Sequence, residues 1–153
     1  MALRAIGIII RCVCYNSSKD HGTMVKWISK KLEPNFELIA VGKGFVGILD
    51  DNSPREEHEK YAAEALRICR EKIFSEKYNV VILDEVNYAI NLGLIGVQEI
   101  IKIIKEKPSS LDLVLTGNHA KKEIIELADL VTEMKEIKHP FKSGIKAKKG
   151  IDF

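Results

Sequence analysis

The feature that most constrains this chain is an apolar run that ends in two adjacent carboxylates. Residues 80–83 read Val-Val-Ile-Leu, and Asp84 and Glu85 follow without a spacer. A continuous apolar run of this length is typical of a central parallel strand that is covered on both faces. Because unpaired charges are costly inside such a sheet, the carboxylates are predicted to emerge at its carboxyl edge, where open α/β sheets bind ligands. The pattern fits a Walker B strand, whose acidic residue holds Mg²⁺ beside nucleotide phosphates, and it fits equally a strand followed by an acidic helix cap.

Composition favours one globular domain over residues 1–153. The chain is 46% hydrophobic and 30% charged, which supplies enough apolar material for a core. A formal net charge of +2 gives no argument for a nucleic-acid partner. Three cysteines without framework spacing predict reduced thiols in a cytoplasmic protein. Arg11 interrupts the first apolar run, and no run reaches the roughly 18 residues of a membrane helix, so neither a signal peptide nor a membrane span is predicted.

Alternating strand and helix patterns predict a parallel sheet with right-handed crossovers. Pro34 and Pro108 are expected to end the helical segments before them, and Pro54 to begin a long amphipathic helix. The segment Thr116-Gly117-Asn118 forms the exit of the fourth strand. The predicted strands are 8–15, 36–41, 80–83, 111–116 and 130–134, and the predicted helices are 23–32, 55–77, 94–107 and 121–127.

Several segments together form a series that points to one protein family. They are Leu-Asp-Glu-Val-Asn-Tyr-Ala-Ile at 83–90, Val-Leu-Thr-Gly at 114–117, the segment 126–134, and the segment 137–153. With the turn Gly-Lys-Gly-Phe at 42–45, the series closely resembles the P-loop type of ATP:corrinoid adenosyltransferase, also called cob(I)alamin adenosyltransferase. The resemblance covers nearly the whole chain and is most specific from Leu83 onward.

The resemblance implies both a fold and an activity. The implied fold is α/β and P-loop NTPase-like (RecA-like), with helices on both faces of a parallel sheet. Members of the family transfer the 5′-deoxyadenosyl group of ATP to a cobalt(I) corrinoid, in cobalamin biosynthesis or salvage. The implied ligands are therefore ATP, Mg²⁺ and cob(I)alamin or another corrinoid. A homodimer or larger assembly and a reductase that supplies the cobalt(I) corrinoid are the expected partners, with no nucleic acid and no membrane.

The family's functional residues carry over onto matching positions of this chain. By resemblance, Asp84 and Glu85 organise Mg²⁺, Phe45 lies on the corrinoid side, and the basic tail 135–153 closes the site. No residue is assigned a catalytic role. Phe45 also fits a place in the core, and Glu85 also fits a helix cap. The ligand-binding residues that the resemblance implies are Phe45, Thr116, Gly117, Asn118 and Lys142.

One family motif has no counterpart in the sequence. The string G-x-x-x-x-G-K-[ST], whose backbone amides wrap phosphates, occurs nowhere in the 153 residues. On one alignment, residues 2–7 match the end of the helix that follows this loop, so the first strand and the phosphate loop are expected to be missing. On another, residues 16–23 are a decayed loop. Gly47 and Asn118 also stand where the family has tryptophan and arginine.

In view of these departures, we consider three possible functions, in order of preference. The first is an ATP:corrinoid adenosyltransferase, with the activity of a chain that lacks the loop left open. The second is a non-catalytic corrinoid- or nucleotide-binding relative, inactive because the phosphate loop is absent. A generic nucleotide hydrolase is third, because that chemistry depends most on the missing loop.

Overall fold

Four parallel strands and the helices that connect them make up the described fold. The computed structural model describes residues 12–16, 29–41 and 54–146. Residues 29–31 are helical, as predicted. The other described elements are β1 (Cys12–Asn16), β2 (Phe36–Ala40), α1 (Arg55–Phe74), β3 (Val80–Leu83), α2 (Val86–Asn91), α3 (Val97–Glu106), β4 (Asp112–Leu115), α4 (Lys122–Leu127) and a 3₁₀ turn (Pro140–Ser143).

The strand order brings the ends of β3 and β4 together. The sheet has the order β2-β1-β3-β4, and every pairing is parallel. Leu83, the last residue of β3, pairs with Leu115, the last residue of β4. The residues that leave these strands, Asp84 and Thr116, therefore lie side by side at the carboxyl edge. The prediction of a parallel α/β sheet is confirmed.

The core explains why β3 reads as an unbroken apolar run. All four of its residues are buried. Helix α1 contributes Leu66, Cys69 and Ile73 at helical spacing, and α3 contributes Ile100 and Ile103. Ile73, Ile100 and Ile103 are fully buried, and truncating such a side chain to alanine costs about 2–5 kcal/mol. The two carboxylates thus follow a strand that packing holds firmly in place.

Local contacts decide where the long helices begin and end. Helix α1 starts directly after Pro54, whose φ of −59° suits a helix start. It ends at Phe74, shorter than predicted, since Glu76 takes a positive φ of 57°. Helix α3 begins later than predicted, because the Glu99 carboxylate accepts a hydrogen bond from the Gly96 amide at 3.3 Å and caps the helix there.

One predicted strand is wrong, and one helix lies outside the predicted ranges. The segment 130–134 is not a strand, and its apolar side chains point to solvent, with Leu130 80% and Met134 94% exposed. A strand needs a neighbour for its backbone groups, and no described strand pairs with this segment. Helix α2 lies outside the predicted helix ranges, but it begins immediately after the two carboxylates, where the alternative interpretation of Glu85 as a helix cap expects a helix.

Several predicted features lie outside the described residues. They include the turn 42–45 with Phe45, the position Gly47, and the segment 2–7. Of the alternative loop 16–23, Asn16 belongs to β1 and the rest lies outside, as does the tail beyond Ile145-Lys146. Within the described ranges, no helix combines the length and the apolar character needed to cross a membrane.

Candidate functional site at the carboxyl edge of the sheet

The exits of β3 and β4 are joined by backbone hydrogen bonds. The Thr116 amide donates to the Leu83 carbonyl at 3.1 Å, which extends the ladder one step beyond the strands. The Asn87 amide, in the first turn of α2, donates to the Thr116 carbonyl, also at 3.1 Å. We call the four residues Asp84, Glu85, Thr116 and Gly117 the exit cluster. Its members come from two segments that the sheet holds in contact.

The Thr116 hydroxyl binds both members of the carboxylate pair. It donates a hydrogen bond to Asp84 Oδ1 at 2.7 Å and accepts one from the Glu85 amide at 2.9 Å. A hydroxyl has one proton to give, so the first contact uses its whole donor capacity. The same side chain therefore orients the Asp84 carboxylate and holds the Glu85 backbone.

Gly117 allows the two exits to approach closely. Its φ of +112° is a conformation that side-chain-bearing residues rarely adopt. A Cβ atom here would lie 3.1 Å from Glu85 Cα and 3.1 Å from the Tyr88 amide nitrogen. Both contacts are with backbone, which cannot move aside as a flexible side chain could. Glycine is therefore required by packing as well as by conformation.

Glu85 adopts a left-handed backbone conformation, with φ 60° and ψ 17°. This conformation costs a residue other than glycine roughly 1–2 kcal/mol, and such residues cluster at functional sites. Glu85 occupies the N-cap position of α2, yet its side chain makes no capping hydrogen bond. Glu85 thus stands at the start of a helix, as the alternative interpretation expects, but its carboxylate does not cap that helix by a hydrogen bond.

The electrostatics of the exit cluster favour a cation. Burial raises the pKa of the Glu85 carboxyl group, and the neighbouring Asp84 charge raises it further. In the described part of the chain, no basic side chain forms an ion pair with Glu85. No cluster of three or more His, Cys, Asp or Glu side chains suited to a metal occurs there either. Two hard carboxylates suit Mg²⁺, which commonly takes its other ligands from water and substrate phosphates.

Sequence reasoning assigned no role to Asn87, which lies beside the exit cluster. Its side chain is buried, with 6% exposure, and its Oδ1 atom accepts no hydrogen bond from the residues that the structure describes. A buried acceptor without a donor costs about 1–3 kcal/mol. The available signal was a polar residue within the otherwise apolar segment Val86–Ile90. Its amide bond to Thr116 ties it to the cluster.

The remaining predicted residues are not all brought to the exit cluster. Asn118 follows Gly117 and is exposed. Lys142 lies in the 3₁₀ turn and forms an ion pair with Glu136. Among the described residues, no hydrogen bond or ion pair joins Lys142 to the exit cluster. Phe45 lies outside the described residues.

A second polar cluster lies at the amino edge of the sheet, away from the strand exits. Lys72 Nζ donates to both carboxylate oxygens of Glu37 at 2.8 Å and to the Tyr78 hydroxyl at 3.1 Å. Tyr78 in turn donates to Glu37. A surface cavity of about 360 Å³ adjoins this cluster and is lined by Glu33, Pro34, Phe36, Glu37, Lys77 and Tyr78. Because Glu37 is neutralised from within the chain, we interpret this cluster as structural.

Comparisons with known proteins show which family the chain resembles. The family model described as ATP:corrinoid adenosyltransferase BtuR/CobO/CobP matches residues 1–153. A corrinoid adenosyltransferase of Sinorhizobium sp is 39% identical over 137 residues, which cover 86% of this chain and 63% of that protein. The corrinoid adenosyltransferase of Pseudomonas aeruginosa is 34% identical over 113 residues, covering 74% and 54%. That of Escherichia coli K12 is 29% identical over 125 residues, covering 80% and 61%.

The match runs through the whole chain but not through the whole of each relative. The chain spans between 54% and 63% of the length of these three curated relatives. The family model, by contrast, covers every residue of the chain, including the exit cluster. The chain belongs to the ATP:corrinoid adenosyltransferase BtuR/CobO/CobP family.

Proposed function

We propose that the protein transfers the 5′-deoxyadenosyl group of ATP to a cobalt(I) corrinoid. The observation that carries this proposal is the family match over residues 1–153. The exit cluster supports it, because two carboxylates at the carboxyl edge of a parallel sheet suit a magnesium–nucleotide ligand. The relatives in Sinorhizobium, Pseudomonas and Escherichia are themselves named corrinoid adenosyltransferases.

The proposed reaction is a displacement at the 5′ carbon of ATP. Cobalt(I) donates an electron pair to C5′ and forms the cobalt–carbon bond, so that the metal becomes formally cobalt(III). The C5′–O bond breaks, and its electron pair leaves with tripolyphosphate. Cobalt(I) is a strong nucleophile, so the protein's task is to hold the two substrates in line and to stabilise the departing charge.

Asp84 and Glu85 are the residues that would hold Mg²⁺. When bound, Mg²⁺ offsets the negative charge that develops on the leaving phosphate oxygens. The raised pKa of Glu85 fits this role, since the pair gains more from a cation than an isolated, solvated carboxylate would. Thr116 and Gly117 fix the backbone around the pair.

The other assignments rest on the family resemblance. Thr116, Gly117 and Asn118 would line the nucleotide cleft, in a P-loop NTPase-like fold that forms one domain. Phe45 would lie on the corrinoid side. Lys142, within the basic segment 135–153, would help that segment close over bound ligands; its exposed position in the 3₁₀ turn is compatible with such a movement.

The proposal extends to assembly and surroundings. We propose a cytoplasmic protein that forms a homodimer or larger assembly and receives its corrinoid from a reductase. The exposed apolar side chains of the segment 127–146 support association, because contiguous exposed apolar surface often marks an interface. The most exposed of them are Leu130, Met134, Ile137 and Phe141.

The proposed function is tested by an adenosylation assay on the full chain. Chemically reduced cob(I)alamin is mixed with MgATP and protein, and adenosylcobalamin is followed by its absorbance spectrum. We expect formation that depends on protein and on Mg²⁺ and that falls sharply in Glu85→Gln. The matched control is Glu37→Gln, which changes a carboxylate at the opposite end of the sheet and is expected to retain the wild-type rate.

Binding measurements separate the proposed reaction from its alternative. If the wild-type chain forms no adenosylcobalamin but binds MgATP or cob(I)alamin in a calorimetric titration, it is a non-catalytic relative, and the proposed activity is wrong. The absence of a G-x-x-x-x-G-K-[ST] string makes the MgATP titration especially informative, because the amides of that loop are the usual phosphate ligands.

A further inference from the structure

We infer that Thr116 is a positioning residue, whose hydroxyl sets the geometry of the Asp84–Glu85 pair for a divalent cation. The inference rests on the proposed function for its biological meaning. It goes further, because family resemblance assigns Thr116 only to the lining of a nucleotide cleft. Its basis is the pair of hydrogen bonds that connect this one hydroxyl to both carboxylate-bearing residues.

The first step is the orientation of the hydroxyl itself. Its proton goes to Asp84 Oδ1 at 2.7 Å, and its oxygen accepts the Glu85 N–H at 2.9 Å. The contact to Asp84 requires the proton to point at Oδ1, and the contact from Glu85 requires a lone pair to face the amide, so the two together favour one rotation of the hydroxyl. The bond to Asp84 directs Oδ1 towards Thr116 and so orients the carboxylate. A side chain of the same shape without a hydroxyl would lose both contacts.

The second step is the strained backbone of Glu85. Its left-handed conformation is unfavourable for glutamate by roughly 1–2 kcal/mol, so surrounding contacts must hold it. The Thr116 hydroxyl supplies one such contact through the Glu85 amide, and the close approach of Gly117 supplies another. Without the hydroxyl, the Glu85 backbone is expected to leave this conformation, which would move its carboxylate relative to that of Asp84.

The third step is the rigidity of Thr116. Its own amide donates to Leu83, and its carbonyl accepts from Asn87, both at 3.1 Å. The hydroxyl is therefore attached to a backbone that the sheet and α2 fix on both sides. Residues that orient metal ligands in this way typically change metal affinity or activity by 10–100-fold when they are replaced.

Three variants test the inference. Thr116→Val keeps the shape and removes the hydroxyl, while Thr116→Ser keeps the hydroxyl and removes the methyl group. Thr132→Val makes the same chemical change at an exposed site outside the secondary structure and is the matched control. Mn²⁺ is the probe, because its bound and free forms are distinguished by electron paramagnetic resonance, both alone and with ATP.

We expect Thr116→Val to weaken Mn²⁺ binding by about tenfold or more, and Thr116→Ser and Thr132→Val to stay within about twofold of wild type. The Glu85 amide should exchange with solvent faster in Thr116→Val alone, as measured by nuclear magnetic resonance. Unchanged Mn²⁺ affinity in Thr116→Val, or an equal loss in Thr116→Ser, would overturn the inference. If Thr116→Val does not fold, Thr116→Ala takes its place with the same criteria.

These readouts do not depend on the proposed reaction. If wild type binds Mn²⁺ but forms no adenosylcobalamin, the proposed function fails, while the comparison between Thr116→Val and Thr116→Ser still decides the inference. If adenosylation does occur, Thr116→Val should raise the Mg²⁺ concentration needed for half-maximal rate. A loss of stability alone would not produce that shift.

Discussion

Each end of the sheet carries a glutamate, and the surroundings shift the pKa values of the two in opposite directions. At the amino edge, Glu37 is neutralised by Lys72 and bound by Tyr78, so its charge is satisfied within the chain. Burial acts to raise the pKa of Glu37, but these partners outweigh it and hold the pKa below its ordinary value. At the carboxyl edge, burial and the charge of Asp84 both raise the pKa of Glu85. One carboxylate has its cation built in, whereas the other favours a cation from outside.

The two ends also differ in what holds them together. The amino edge depends on contacts between side chains, and each of these groups is partly exposed. The carboxyl edge depends on backbone contacts around Gly117 and on one hydroxyl. We infer that backbone contacts carry more of the structural role at the carboxyl edge than at the amino edge.

The largest effect on stability is expected at Gly117, where the two strand exits pack closely through their backbones. In Gly117→Ala the added Cβ would lie 3.1 Å from Glu85 Cα and from the Tyr88 nitrogen, at a φ of +112°. We expect the free energy of unfolding to fall by about 3 kcal/mol, measured by urea denaturation.

The control for this prediction is Gly144→Ala. Gly144 also has a positive φ, of +72°, but no described residue has an atom within 4 Å of a Cβ placed there. Only the conformational cost remains, about 1 kcal/mol. Equal losses in the two variants would mean that close packing at the carboxyl edge contributes nothing to stability.

The next effect concerns the cation. In Glu85→Gln one of the two charges is removed while the shape is kept, so Mn²⁺ affinity should fall on the order of 100-fold. Glu37→Gln is the matched control and should leave Mn²⁺ affinity unchanged, because Glu37 is at the other end of the sheet. A similar loss in both variants would remove the distinction between the two glutamates.

A smaller effect is expected when the internal cation is removed. Lys72→Met leaves Glu37 without its ammonium partner, and we expect unfolding free energy to fall by about 1 kcal/mol, since the pair is partly exposed. Lys102→Met is the control, because Lys102 Nζ lies 3.9 Å from Glu106 on an exposed helix face. There we expect a change within about 0.5 kcal/mol. If Lys102→Met costs as much, the amino-edge cluster has no special role.

The smallest expected effect is on the pH dependence of stability, for which Glu37 and Glu85 should act in opposite directions. Because the pKa of Glu37 is lowered in the folded state, its charged carboxylate stabilises the fold above the ordinary pKa of 4.5. This stabilisation is lost as the pH falls through the folded-state pKa. Because the pKa of Glu85 is raised in the folded state, its protonated form stabilises the fold below pH 4.5. This stabilisation is lost as the pH rises through the folded-state pKa.

Denaturation of wild type, Glu37→Gln and Glu85→Gln as a function of pH, without divalent cations, measures both signs. As pH rises from acid to neutral, wild type should gain stability relative to Glu37→Gln and lose it relative to Glu85→Gln. Curves that move in the same direction would show that the two ends of the sheet do not differ electrostatically.

Local sequence patterns were sufficient for much of the fold. Each of β2, β3 and β4 lies within a predicted strand, because a short apolar run bounded by polar or proline-containing segments is a local signal. Pro54 marked the start of α1 for a similar reason. The position of Asp84 and Glu85 beyond a buried strand also followed from the sequence, since charges are excluded from such a strand.

The local sequence pattern did not predict the structure correctly in two segments. The segment 130–134 has apolar and β-branched residues, but no described strand pairs with it, so it stays irregular and exposed. Helix α2 was missed because a short helix beside a turn has little periodicity to detect. The first outcome depends on pairing with a distant segment, and the second on the shortness of the helix itself.

The sequence by itself determined which side chains can carry the chemistry, and the tertiary structure decided which of them act together. Asp84 and Glu85 were evident because their order after an apolar run is a local property. The Thr116 hydroxyl on Asp84 joins residues 32 positions apart, and Tyr78 meets Glu37 across 41 positions. Contacts at such separations arise when parallel strands align and bring distant strand ends together. That alignment is set by the packing of the whole sheet and cannot be derived from any one segment.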